Sequence, residues 1–311
     1  MYFPYIYGRQ AELNAISDLA GELGKPQAIF PLIEPVDAAP KLLATLDALK
    51  AEGQTTYLVV NPSLGGLADV TAQTVWLSDA ASYIADSSLV IPVFKELSTT
   101  IIADIAAFAH ANKGRRIGLI LTTSRLLPSD VKVALGAADF LVFLQADANP
   151  VTYVATLTPA RTVDISDNFK PKERNKDYVG DDWLGNNHTT WSAAGRPGFA
   201  DYTILPSAFK IGGGPVGAIA IHLTYEDGPN TRVQHFVSAT NDQKMPQSLK
   251  FSEALNDIHT QIAVTPTRFR SSPGLDAYET QRKSGAFTNL SGNKRQQVSH
   301  HIFTIGKHLG I

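Results

Sequence analysis

The chain has 311 residues, of which 44% are hydrophobic and 18% charged, and its formal net charge is -2. So much apolar material with so little charge excludes a disordered chain, and the near-neutral balance removes any overall electrostatic drive toward nucleic acid or an anionic membrane. Cysteine is absent, which excludes disulfides, thiolate zinc sites and a cysteine nucleophile and fits a reducing compartment.

The opening MYFPYIYGRQAEL has no basic stretch followed by an apolar one, and no run reaches the roughly 18 apolar residues of a membrane span, so a cytoplasmic protein is expected. Beyond it, short apolar β-rich runs alternate with longer segments whose apolar residues recur every three or four positions. Ala28–Val36 leads to a helix from about Ala38 to Ala51, and Thr56–Asn61 to one from about Asp69 to Ala85. Leu89–Lys95 precedes a helix from about Thr99 to Asn112, and Arg116–Thr122 a shorter one opened by Pro128. Asp139–Gln145 and Arg161–Ile165 are separated by a short helix starting near Pro150, where proline suits a first turn. These six runs are nearly continuous in apolar character, as strands covered on both faces require. Asp201–Leu205 and Ala218–Leu223 are then expected as strands seven and eight of a (β/α)8 barrel, a TIM-barrel-like α/β fold.

Two places break the plan. The segment Asn168–Gly198 is long for a connection and carries Trp183 and Trp191, which predicts a packed cover over the C-terminal face. SAFKIGGGPVG, between the seventh and eighth strands, is too short for a crossover helix, so the barrel is expected to be irregular there. TYEDGPN reads as the turn of a hairpin joining Ala218–Leu223 to Arg232–Ala239. Helices over Ser248–Ala263, Leu275–Lys283 and Lys294–Leu309 complete the chain. The expected division is a barrel over 1–245 and a helical extension over 246–311 packed on it.

The opening YFPYIYGRQAEL, followed by IFPLIEPV, VVNP and IPVFKE, resembles the bacterial and phage beta family proteins, and more narrowly the sce7725-like group. The resemblance covers roughly the first hundred residues. It implies a TIM-barrel-like fold and an association with phages, mobile elements and antiviral defence, and it supplies no catalytic residues.

Active sites of α/β barrels are built where the strands end at their C-terminal side. The polar residues there are Glu34, Asn61, Lys95 with Glu96, Thr122 with Thr123, Gln145, then Asp164 and Asp167, with His222 on the expected eighth strand. Glu34, Asn61 and Lys95, as carboxylate, amide and ammonium on neighbouring strands, suit polarisation of a carbonyl or phosphate; the same residues equally suit an ion pair that plugs the barrel, with Asn61 satisfying buried backbone. Because Glu34 holds Lys95 charged, anchoring a ligand fits better than Schiff-base chemistry. Glu34, Asp164 and Asp167, with Asn61 or Gln145, would instead gather Mg²⁺, although no spacing signature accompanies them. Asp164 is also a candidate catalytic residue, and His222 is a candidate general acid or base, with a satisfied strand histidine as its alternative.

Three features outside the mouth are weaker signals. Lys170, Lys172, Arg174 and Lys176 suit phosphate contact, but interleaved acids make a solvated loop the simpler reading. Gly212–Gly214 resembles an anion-binding nest without a phosphate-loop lysine. His300 and His301 fall in a helix and point apart. Taken together, the sequence predicts a barrel that binds a small anionic ligand or substrate at its mouth, in a phage-related setting, with catalysis undecided. The alternative is a scaffold whose cover segment and C-terminal helices bind a protein encoded in the same locus. Nucleic acid is not the expected primary partner.

Overall fold

The computed structural model describes residues 1–38, 40–211 and 216–310. Eight parallel strands close into a barrel in the order β1 (Tyr2–Tyr7), β2 (Leu32–Glu34), β3 (Thr56–Val59), β4 (Val90–Lys95), β5 (Arg116–Leu121), β6 (Asp139–Leu144), β7 (Thr162–Ser166) and β9 (Phe199–Asp201). Six of the expected strands are β2 to β7, and the expected seventh overlaps the start of its run at β9. The first and last places of the barrel correct the sequence-based order. YFPYIY is itself a strand, and it closes the barrel by pairing with β2 on one side and β9 on the other.

Ala218–Leu223 is therefore not a barrel strand. It belongs to β10 (Ala220–Asp227), which forms the expected hairpin with β11 (Asn230–Val237) and, through β11, an antiparallel sheet with β8 (Asp181–Gly185). Its apolar run resembles a barrel strand because the sheet is also covered on its faces. Ile219, Ile221, Leu223 and Phe236 share a core with Phe251, Leu255, Phe269 and Tyr278 of the C-terminal region. A boundary at 245/246 thus falls inside this second core.

Helices α1 (Gln10–Leu19), α2 (Pro40–Ala51), α3 (Val70–Ala85), α4 (Ile102–Ala111), α5 (Pro128–Leu135) and α6 (Pro150–Leu157) follow strands β1 to β6. Their limits are written in local chemistry. Asp69 accepts from the Ala72 amide at 2.9 Å to cap α3, and α5 opens on Pro128 and stops at Gly136, whose φ of 53° is a conformation glycine adopts at no steric cost. The short α7 (Asn187–Thr190) sits between β8 and β9. Helices α8 (Gln247–Val264), α9 (Pro273–Ser284) and α10 (Leu290–His308) agree with the expected C-terminal helices, and α10 packs on both α1 and β10. Among the described residues no helix is long and apolar enough to cross a membrane.

The barrel is packed, not hollow. Phe3, Tyr57 and Phe143 meet edge to face with ring centroids 5.2–5.4 Å apart. A Cβ on Gly118 would lie 2.8 Å from Val93 Cγ2 and 3.4 Å from Tyr57, so the missing side chain on β5 makes room for these neighbours. Above them, at the C-terminal end, lies a layer of polar side chains.

Candidate functional site at the barrel mouth

Side chains of a strand alternate between its faces, and the interior of this barrel holds Tyr5, Tyr7, Tyr57, Val59, Val93, Phe143, Val163, Ile165 and Tyr202. Continuing that period upward puts Glu34, Lys95, Gln145 and Asp167 in the inward phase, and these residues define the mouth. Lys95 Nζ donates to both Glu34 oxygens, at 2.7 and 2.8 Å, while the Tyr5 hydroxyl donates to Oε2. Glu34 is 0% exposed. Burial and the Glu34 charge together raise the Tyr5 pKa well above its ordinary value.

Asn61 completes the floor by donating to the Lys95 carbonyl and accepting from the Lys95 amide, each at 2.8 Å. Its amide group is committed to the β4 backbone, as the structural alternative anticipated. Thr122 donates from its amide to the Glu96 carboxylate at 2.8 Å; Thr123 adds an amide bond at 3.0 Å and a hydroxyl bond at 2.9 Å. Glu96 therefore pins the turn after β5. Gln145 donates to the Tyr202 hydroxyl, and the Tyr202 ring packs against Tyr5 and Tyr7.

Four expectations are corrected here. Asp164 has the opposite parity to Val163 and Ile165, so it leaves the outer wall, where Arg196 holds both its oxygens at 2.7 and 2.9 Å. Asp167 is exposed and bonds Ser207, so Glu34, Asp164 and Asp167 do not converge and cannot share one Mg²⁺. His222 lies in the appended sheet, its Nδ1 2.8 Å from His235 Nδ1; burial and that neighbour push its pKa down to about 3. Nor does Asn168–Gly198 cover the mouth. It supplies β8, packs Phe169 and Tyr178 against His222, and returns along the outer wall through Arg196. Lys170 and Arg174 pair with Asp182 and Asp177. Gly212–Gly214 lies outside the described residues. His300 bonds Ser272 and the Thr224 carbonyl, and His301 bonds the Thr224 hydroxyl and Tyr2.

What overhangs the mouth is the run after β9. The Tyr7 hydroxyl donates to the Ser207 carbonyl, Arg9 donates to the Lys210 carbonyl, and the Arg9 guanidinium lies 4.4 Å from the centre of the Phe209 ring. Beneath this run is a pocket of about 210 Å³ whose lining includes Tyr7, Arg9, Glu12, Phe209, Lys210 and Lys294. Glu12 is 0% exposed, and neither carboxylate oxygen has a hydrogen-bond partner among the described residues. Burial pushes its pKa up to about 8, against the opposing pull of Lys294, Arg9 and the nearby Tyr7 backbone. Burial likewise lowers the Lys294 pKa.

The rim has no local signature in the sequence. An acid in the first turn of a helix is the ordinary complement to the helix dipole, so Glu12 in GRQAEL carries no sign of burial. Its neighbours Lys210 and Lys294 arrive from far along the chain. No family model, curated protein or solved structure matches this chain.

Proposed function

We propose that the mouth and its rim bind a small anionic ligand. The observation that carries this reading is the charge of the rim pocket. Arg9, Lys210 and Lys294 line a space of about 210 Å³ in which the carboxyl of Glu12 is biased by burial toward its neutral form. Such a lining presents cationic donors with little carboxylate charge to oppose an incoming phosphate or carboxylate. The Glu34–Lys95 pair, with two of the Lys95 protons directed at Glu34, acts as the rigid floor. The resemblance of the opening segments to beta family proteins supports placing this binding in phage- or mobile-element-associated defence.

Calorimetric titration with inorganic phosphate, sugar phosphates and small carboxylates tests the reading. At least one anion should bind wild type, with affinity lost in Arg9→Gln and Lys294→Met. Equal binding by all three proteins, or none by wild type, would sink it.

A second reading is favoured by one other observation. Glu173–Lys176 of the β7–β9 crossover, Val216–Ala218 and Asn241–Lys244 line a cavity of about 750 Å³ on the appended side. There the chain would be a scaffold that seats a protein encoded in the same locus. Co-expression with such a protein should give a complex that Arg174→Glu with Lys176→Glu disrupts; a complex indifferent to both changes removes this reading.

A further inference from the structure

We propose that His188, Glu226 and His308 form a binding site for one Zn²⁺ ion, on the outer side of the molecule and separate from the mouth. The three residues come from elements distant in sequence: α7 in the crossover, β10 of the hairpin, and the last turn of α10. One donor atom from each lies within 4.8 Å of the other two. Two imidazoles and a carboxylate are a donor set that suits zinc, with water in the remaining position.

A second observation points to a missing partner. His188 is only 4% exposed, and its Nε2 meets no hydrogen-bond partner among the described residues. Such a buried ring nitrogen is costly unless something satisfies it. Its ring stands nearly perpendicular to that of His308, with centroids 4.5 Å apart.

The carboxylate is held in a fixed orientation. Arg270 Nε donates to Glu226 Oε2 at 2.6 Å, which leaves Oε1 facing His308 Nδ1 at 2.9 Å. Ligand atoms about 2.0–2.2 Å from a tetrahedral zinc are roughly 3.3–3.6 Å from one another. The His308–Glu226 pair is slightly tighter than that and all the donor atoms lie within 4.8 Å of one another, so modest side-chain rotations bring the set to the metal. On binding, the proton shared between His308 Nδ1 and Glu226 Oε1 leaves to solvent, and both atoms give their lone pairs to the ion. The ion would tie the crossover, the hairpin and the final helix to one point.

The test uses full-length, tag-free protein that has been treated with chelator and is then titrated with zinc sulfate. One zinc per chain should bind and raise the melting temperature, since the ion favours the folded state. Cobalt(II) in its place should give the visible absorption of a tetrahedral site. His188→Ala and His308→Ala should each weaken zinc binding by more than the about 10–100-fold that loss of an outer partner causes. Because His188 is buried, the partly exposed His308→Ala and the volume-conserving Glu226→Gln serve as variants expected to fold, checked by circular dichroism. His259→Ala, an exposed histidine elsewhere, should bind as wild type does. No zinc uptake by wild type, or uptake unchanged in folded His308→Ala and Glu226→Gln, overturns the proposal.

Discussion

Glu34 and Glu12 are both fully buried carboxyl groups associated with the mouth region, and their surroundings differ in almost every respect. Glu34 has an ammonium on both oxygens and a phenol on one of them. Glu12 has cations near it but no hydrogen bond that either oxygen completes among the described residues. Burial alone therefore does not assign a role to a carboxyl group. A paired one resembles structure, and one that faces a pocket unpaired resembles a place where something else is meant to bind.

The largest effect is expected when the partner at the floor is removed. Lys95→Ala leaves Glu34 buried without its ammonium, and thermal or denaturant melts should show a loss of about 3–5 kcal/mol. The double change Glu34→Leu with Lys95→Met should recover most of that loss, because two apolar groups of similar volume need no partner. A single mutant that melts near wild type would show that the floor is looser than its distances indicate.

A smaller effect is expected at the rim, where pH is the lever. Glu12 has its folded pKa raised from 4.5 to about 8, so the folded state keeps a proton that the unfolded chain has released. Its contribution to stability is complete below about pH 4.5 and is lost as pH rises toward 8. Between pH 5 and 8 the loss should be on the order of 3 kcal/mol. Glu12→Gln, neutral at every pH, should remove this slope, and parallel slopes in denaturant melts of the two proteins would show that the carboxyl is ionised and solvated after all. The smallest effect belongs to Asn61→Ala, which frees one amide and one carbonyl of Lys95; about 1–3 kcal/mol of stability should go, measured in the same melts.

The sequence carried most of the barrel because strands β2 to β7 are continuous apolar runs punctuated by helices, and that signal is local. It misplaced the two ends for a physical reason. YFPYIY follows no helix and contains a proline, so nothing nearby marks it as a strand, whereas AIAIHL is as apolar as any barrel strand because helices cover the appended sheet too. Part of the site was legible: Glu34, Lys95, Gln145 and Asp167 share the parity of the interior, and Asp164 was distinguishable from them by the apolar residues on either side of it. The rim was not legible, since Glu12 meets Lys294 only through the docking of α10 on α1.

Closure by the first strand also sets the order of events as the chain is made. Tyr2–Tyr7 can pair with Leu32–Glu34 early, but its other edge finds Phe199–Asp201 only after all the barrel strands between them have been made. Until then a strand rich in aromatic residues presents an unpaired edge, the kind of surface that recruits other chains. So distant a pairing carries a large loop-closure cost and belongs to slow folding. Yield during synthesis should therefore depend on how long that edge waits, a kinetic burden that shorter-range barrel closures would not impose.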